Sequence, residues 1–344
     1  MIQDIALYRK YRPKGFQDVL GQEHIVKVIE NSIRLKRISH AYLFTGARGT
    51  GKTSVARILA REIGCEPEDL YEIDAASNRG IDDIREIKES VSASPFKSPY
   101  KVYIVDEVHM LTKDAFNALL KTLEEPPTYV VFILATTEVE KLPETVVSRC
   151  QVFNFKKPSH SILREMIINV GKKEGFNVEP AAADLISLLS EGSFRDAQGT
   201  LQKVLSYSED KKIKLEEVEL VTGAPKSELI NSFIEALSDG NLESGLQTIS
   251  KAVEQNIDIK TYLKLILQRM RFVMLLRLKA GLDADIEKEL RKEDFDFLKN
   301  LSTKKESKVN SQALLEFLNA YDAIGSSYVP QLPLELALIK ICKK

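Results

Sequence analysis

Eight consecutive residues, Gly46-Ala47-Arg48-Gly49-Thr50-Gly51-Lys52-Thr53, match the pattern G-x-x-x-x-G-K-[ST]. Glycines let such a backbone curl until successive N–H groups point at phosphate oxygens. A helix starting at Lys52 adds the positive end of its dipole. In that setting Lys52 is expected to reach the β- and γ-phosphates of a nucleotide, and the Thr53 hydroxyl to ligate Mg²⁺. A second segment, Val102-Tyr103-Ile104-Val105-Asp106-Glu107, delivers two carboxylates at the C-terminal end of an apolar strand, where parallel sheets bind ligands. Asp106 is expected to hold Mg²⁺ and its waters, and Glu107 to orient and polarise an attacking water. A glycine-rich turn with a chance Lys-Thr, and an Asp-Glu pair capping a surface strand, are the bland alternatives. Their occurrence together in one alternating segment argues against both.

The elements that must position these residues are legible as periodicity. Apolar runs over 41–44, 101–106 and 129–135, and the alternating segment 71–74, read as four strands. Between them, Val55, Ile58, Leu59 and Ile63 share one face of a helix over 52–63 that Gly64 stops. Ile81, Ile84, Ile87 and Val91 share a face of a second helix. Ala115, Leu119, Leu120 and Leu123 share a face of a third over 112–124, ended by Pro126-Pro127. Strands alternating with helices argue for a parallel sheet covered on both sides. After about Pro158 the strands are expected to stop, and 206–212 reads as a polar connection. Leu263, Ile266, Leu267, Met270, Val273 and Met274 form one stripe, with Leu265, Phe272, Leu275 and Leu276 on other faces. A helix apolar nearly all round belongs at the centre of a bundle. The expected fold class is therefore α/β plus all-α, with one α/β domain and two helical ones.

Composition narrows the partners. With 49 Lys plus Arg against 50 Asp plus Glu, the net charge is -1, so any contact with nucleic acid must come from a local patch. The most apolar run, 129–135, is far short of the ~20 residues a membrane helix needs. The first four residues have no basic stretch leading into an apolar core, so no signal peptide is read. Cys65, Cys150 and Cys342 are too scattered for a disulfide framework or a four-ligand zinc site, and they fit a reducing cytoplasm.

The motifs, in order along the chain, are Tyr8-Arg9-Lys10-Tyr11-Arg12-Pro13, Val19-Leu20-Gly21-Gln22, the phosphate loop and Asp106-Glu107-Val108-His109. They continue with Leu123-Glu124-Glu125-Pro126-Pro127, Ala135-Thr136-Thr137, Ser148-Arg149-Cys150 and Gly192-Ser193-Phe194-Arg195-Asp196-Ala197. Together they closely resemble the gamma/tau subunits of bacterial DNA polymerase III, AAA+ clamp-loader ATPases. The motifs run from about Tyr8 to Ala197, and the helical remainder resembles the family in pattern and length only. The resemblance implies an AAA+ P-loop nucleotide-binding domain over 1–158, a helical lid domain over 159–222 and a C-terminal helical collar over 223–344. It implies DNA-dependent ATP hydrolysis with Mg²⁺ in the cytoplasm. The implied partners are other loader subunits in a five-membered ring, a sliding clamp and primer–template DNA.

The resemblance also assigns roles that spacing leaves open. Thr137 looks like a sensor of the γ-phosphate, where a bare Thr-Thr pair would otherwise read as β-propensity. Arg149 looks like an arginine finger reaching an adjacent subunit's nucleotide, the alternative being a surface ion pair. Arg195 looks like a second sensor, the alternative being a helix-start Arg paired with Asp196. Tyr11, Arg12, Pro13 and Val19 resemble the lining of an adenine pocket. Arg79 and Lys113, each at a helix start, are candidates for DNA phosphate or for ordinary solvated charges. Cys65 matches the first ligand of the family's four-cysteine zinc module, but the other three are missing, so no structural zinc is expected. The chain resembles the shorter gamma form. Alternatives are another AAA+ remodelling or branch-migration ATPase, or a loader like the small subunits of replication factor C.

Overall fold

The structure is a computed structural model, and it describes residues 5–78, 80, 89–278, 281, 286–287, 290–304 and 306–343. Its described residues divide into two units, one within Met1–Leu163 and Ser190–Gly199, the other within Arg164–Leu189 and Thr200–Lys344.

The first unit is built on five parallel strands: β1 (Ala41–Gly46), β2 (Leu70–Asp74), β3 (Lys101–Asp106), β4 (Val130–Thr136) and β5 (Gln151–Phe155). Their order across the sheet is β2-β3-β4-β1-β5. Residues alternate between two cores. Tyr42, Phe44, Ile104, Ile133 and Phe155 face one core with α2 (Glu23–Arg34) and α3 (Lys52–Glu62). Leu43, Tyr103, Val105, Phe132 and Leu134 face the other with α4 (Lys113–Glu124) and α5 (Glu144–Val147). Burial on both faces is why the central strands β1, β3 and β4 read as continuous apolar runs. Each fully buried Phe or Leu contributes about 1.5–3 kcal/mol. A short α1 (Leu7–Lys10) precedes this layer.

Four expected strands become five. β5 pairs in register with β1, from Tyr42↔Gln151 to Gly46↔Phe155. Its signal was present as alternation, since Phe153 and Phe155 are buried while Val152 is exposed. The strand sits at the sheet edge, so only one residue in two is apolar and inward. The helix face of Ile81, Ile84 and Ile87 lies outside the described residues.

The second unit contains the helical remainder. The expectation that strands stop after Pro158 is corrected by a two-residue parallel pair, β6 (Asn177–Val178) with β7 (Lys212–Ile213). Two residues are too few for a period to register, and Lys212 therefore leaves the expected connection for a strand. The long helix Ile259–Arg277 packs against Ser227–Asp239, Lys292–Ser302 and Ser311–Ile324, as its apolar pattern requires. It also buries one charge. Arg269 pairs with Asp294 at 3.0 Å and donates to Ser227 Oγ at 2.8 Å and to Asn231 Oδ1. Among the described residues, no helix is long and apolar enough to cross a membrane.

Candidate nucleotide site

The phosphate loop joins β1 to α3 through three glycines at positive φ: Gly46 at 138°, Gly49 at 74° and Gly51 at 103°. At Gly49 a Cβ would overlap the Ser193 Oγ and lie 3.0 Å from the Ser193 Cβ. The Gly49 carbonyl accepts the Phe194 N–H at 2.9 Å. Residues 193–194 are thus laced directly onto the loop. Lys52 is 5% exposed. Its Nζ donates to the Gly46 and Ala47 carbonyls at 2.7 and 2.9 Å. Burial lowers its pKa from the ordinary lysine value, Glu107 and Asp106 act the other way, and Arg195 lowers it further. Thr50 is buried, its hydroxyl donating to the Ala47 carbonyl at 2.9 Å, while Arg48 points to solvent.

Asp106 closes β3, and Thr53 Oγ1 donates to its Oδ2 at 2.7 Å. Glu107 follows in the left-handed region, φ 49°, ψ 43°. That conformation costs a non-glycine residue roughly 1–2 kcal/mol. It is held by the Glu107 N–H donating to Asp106 Oδ1 at 3.0 Å and by the Met110 N–H donating to the Glu107 carbonyl at 2.9 Å. Thr137, one residue past β4, donates its hydroxyl to Glu107 Oε2 at 3.1 Å. The strand order explains the meeting: β4 lies between β3 and β1, so its C-terminal end stands between the carboxylates and the phosphate loop. The donor set fits a nucleotide carrying Mg²⁺. Thr53 and Asp106 supply two hard oxygens side by side, and Mg²⁺ commonly completes its shell with phosphates and waters. The buried Lys52 ammonium is bonded to neutral carbonyls rather than to a carboxylate, so its charge is available to an anion.

The flanking residues are placed as follows. The Arg195 guanidinium lies over the Tyr8 ring at 5.6 Å. Arg12 is half-buried, and its pKa is lowered by burial first, then by Arg57 and Arg195. Tyr11 and Pro13 are half-buried beside it, and Val19 packs on the core that holds α3. Arg149, just past α5, donates to Glu124 Oε1 at 2.6 Å and to the Thr145 carbonyl at 2.7 Å. Lys113 is exposed in the first turn of α4, beneath the Thr112 cap. Arg79 lies outside the described residues. Cys65 is buried, and burial pushes its thiol up to about 11.

The motif reading assigned no role to Tyr8, His109, Glu138 or Ser193. All four are tied to the site by tertiary contacts. Their signal in the sequence was only membership of, or adjacency to, a matched motif.

A parallel sheet ordered β2-β3-β4-β1-β5, with a phosphate loop after β1 and paired carboxylates after β3, defines an AAA+ P-loop nucleotide-binding domain, here joined to helical regions. Among solved structures, the chain resembles the Thermotoga maritima RuvB Holliday junction branch migration motor at TM-score 0.54 and 21% identity, over 66% of this chain and 79% of that one. That likeness is one of fold. A family described as "DNA polymerase III, delta subunit" matches residues 21–79 and 68–159. The Bacillus subtilis (strain 168) DNA polymerase III subunit tau is 38% identical over 98% of this chain and 63% of its own length. The DNA polymerase III subunit gamma of Buchnera aphidicola subsp. Schizaphis graminum is 39% identical over 71% of this chain and 74% of its own. The chain belongs to the DNA polymerase III gamma/tau family. It spans less than two thirds of the tau relative's length.

Proposed function

We propose that this chain binds and hydrolyses ATP as a subunit of a clamp loader, and so helps to place a sliding clamp on primed DNA. The observation that carries the reading is the meeting of Lys52, Thr53, Asp106, Glu107 and Thr137 at the ends of three adjacent strands, in a chain of the gamma/tau family. Residues 46–53 cradle the phosphates with backbone N–H groups, and Lys52 holds the β/γ oxygens. Thr53 and Asp106 would hold a Mg²⁺ brought by the nucleotide, which supplies positive charge on the phosphate oxygens. Glu107 orients the attacking water and takes its proton, steadied by the Thr137 hydroxyl. Tyr11, Arg12, Pro13 and Val19 border the adenine side. Arg195, over Tyr8, adds a cation to the phosphate side.

Arg149 acts in this reading on the nucleotide of a neighbouring subunit in a ring, proposed as a pentamer with other loader subunits. Within its own chain Arg149 pairs with Glu124 and the Thr145 carbonyl, a half-exposed pair that it would leave to reach that nucleotide. Residues 1–158, 159–222 and 223–344 are proposed as nucleotide-binding, lid and collar domains. Lys113 and Arg79 remain proposed phosphate contacts to DNA, and the setting is cytoplasmic. A branch-migration motor is the second reading, but its support is the low-identity likeness of fold. An ATPase assay with and without primed DNA and clamp tests the proposal. Stimulation by both together is expected, with Lys52→Ala losing ATP affinity and Glu107→Gln binding ATP without turnover. Normal hydrolysis by Glu107→Gln would refute the site.

A further inference from the structure

Neither Val108 nor His109 has a part in that chemistry, yet the His109 side chain is 6% exposed and reaches Glu107, Thr136 and Glu138. The left-handed turn at Glu107 sends Val108 into the core and begins the 3₁₀ turn Val108–Met110 that contains His109. The ring Nδ1 lies 2.9 Å from Thr136 Oγ1 and 3.5 Å from Glu107 Oε2. Nε2 lies 3.3 Å from Glu138 Oε1. Glu138 is itself fixed, its N–H donating to Thr136 Oγ1 at 3.0 Å and its other carboxylate oxygen paired with Lys141 at 2.6 Å. With the proton on Nε2, toward the nearer carboxylate of Glu138, Nδ1 accepts the Thr136 hydroxyl proton and makes no hydrogen bond to Glu107, whose Oε2 is held by the Thr137 hydroxyl. Each partner is thereby used in one direction: Glu138 N–H to Thr136, Thr136 O–H to His109, His109 N–H to Glu138.

This closed ring of three bonds ties the turn after β3 to the end of β4. Thr137 lies between Thr136 and Glu138, the two residues His109 grips, and it is Thr137 that donates to Glu107. Resting on the reading above that Glu107 activates water, we propose that His109 is a positioning residue. Clamped between Thr136 and Glu138, its imidazole fixes the backbone of Thr137 between them, and so the hydroxyl that donates to Glu107 Oε2. Loss of the clamp frees the Thr137 hydroxyl, and through it the carboxylate, while leaving the phosphate loop untouched. Hydrolysis is therefore sensitive to His109 and ATP binding is not. Misplacing a reacting group by ~1 Å costs on the order of 10²-fold in rate.

The test measures ATP dissociation constant and kcat on the full chain in its loader assembly. His109→Ala is expected to lower kcat by about tenfold to a hundredfold with ATP affinity within about twofold. Glu138→Ala, at a side chain 37% exposed, is expected to lower kcat in the same direction, and Glu138→Gln, which keeps an acceptor oxygen for Nε2, to restore it. The double variant His109→Ala/Glu138→Ala should be no slower than His109→Ala alone, because both break one ring of bonds. A merely structural role would weaken binding and turnover together and would show no rescue by Gln. If His109→Ala does not fold, the Glu138 pair decides. Unchanged kcat in Glu138→Ala overturns the inference, as does equal loss in the Ala and Gln variants. Glu107→Gln separates the two levels: if it hydrolyses ATP normally the site reading fails, whereas an inactive Glu107→Gln beside a fully active His109→Ala removes only the positioning role.

Discussion

Substituting Gly49 perturbs the contact that laces the Ser193 segment to the phosphate loop, and its cost divides into two parts. The backbone part comes from φ 74°, where an L side chain costs roughly 1–2 kcal/mol. The second part is the collision with Ser193. The hydroxyl can rotate away only by releasing the Asp196 N–H, which it accepts at 3.2 Å. Losing such a cap costs ~1 kcal/mol. The Ser193 Cβ, 3.0 Å from the new methyl, must still give, and crowding of that kind adds about 1 kcal/mol or more. Gly49→Ala should therefore destabilise this unit by about 3–4 kcal/mol. Ser193→Gly alone should cost a few tenths of a kcal/mol, roughly, because glycine is a tolerable cap. In the Ser193→Gly background only the backbone part of Gly49→Ala remains. The cycle should thus show a coupling of about 2 kcal/mol. Urea unfolding followed by circular dichroism gives all four corners. ATP affinity should follow, weakened in Gly49→Ala and partly recovered in the double variant, because Arg195 lies two residues past Ser193. A coupling near zero would refute the reasoning, since it would mean that the loop and residues 193–195 are not in contact in solution.

Arg149→Ala should leave ATP affinity of the isolated chain nearly unchanged and abolish DNA-stimulated hydrolysis in the assembly. Rings mixing it with Lys52→Ala, verified by mass, should recover part of the activity each lacks, and failure to recover would place Arg149's action within its own subunit or nowhere. Asp69 gives a pH prediction. Burial by itself would raise its carboxyl, but the N–H groups of Phe96, Lys97 and Ser98 outweigh that and hold it at about 2. A depressed folded value means that its stabilisation, about 2 kcal/mol, is full above pH ~4 and is lost as pH falls toward 2. Asp69→Asn should flatten the stability profile across that window, as read by urea titrations at stepped pH, and an unchanged profile would show that Asp69 is not the group responsible.

The phosphate loop, β1 to β4 and the paired carboxylates were legible because each is written in local periodicity or in one contiguous motif. Lys52 and Thr53 had to open a helix, and Asp106 had to end a strand, from the residues immediately around them. Family membership was legible for the same reason, through short motifs in a fixed order. What only the tertiary structure decided is which of these ends meet. Thr137 reaches Glu107 because β4 inserts between β1 and β3, a strand order that no local pattern encodes. Ser193 reaches Gly49, and Arg149 reaches Glu124, across separations along the chain where periodicity carries no information. β5 was missed because an edge strand buries only alternate residues, and β6 and β7 because two residues make no period. Arg269 lay inside a helix read as apolar, and its burial is tolerable only because Asp294, Ser227 and Asn231 converge on it from other helices. The sequence determined which groups could do chemistry; the packing of distant segments determined which of them share a site, because contact between such segments depends on the order in which strands assemble and not on the residues beside them.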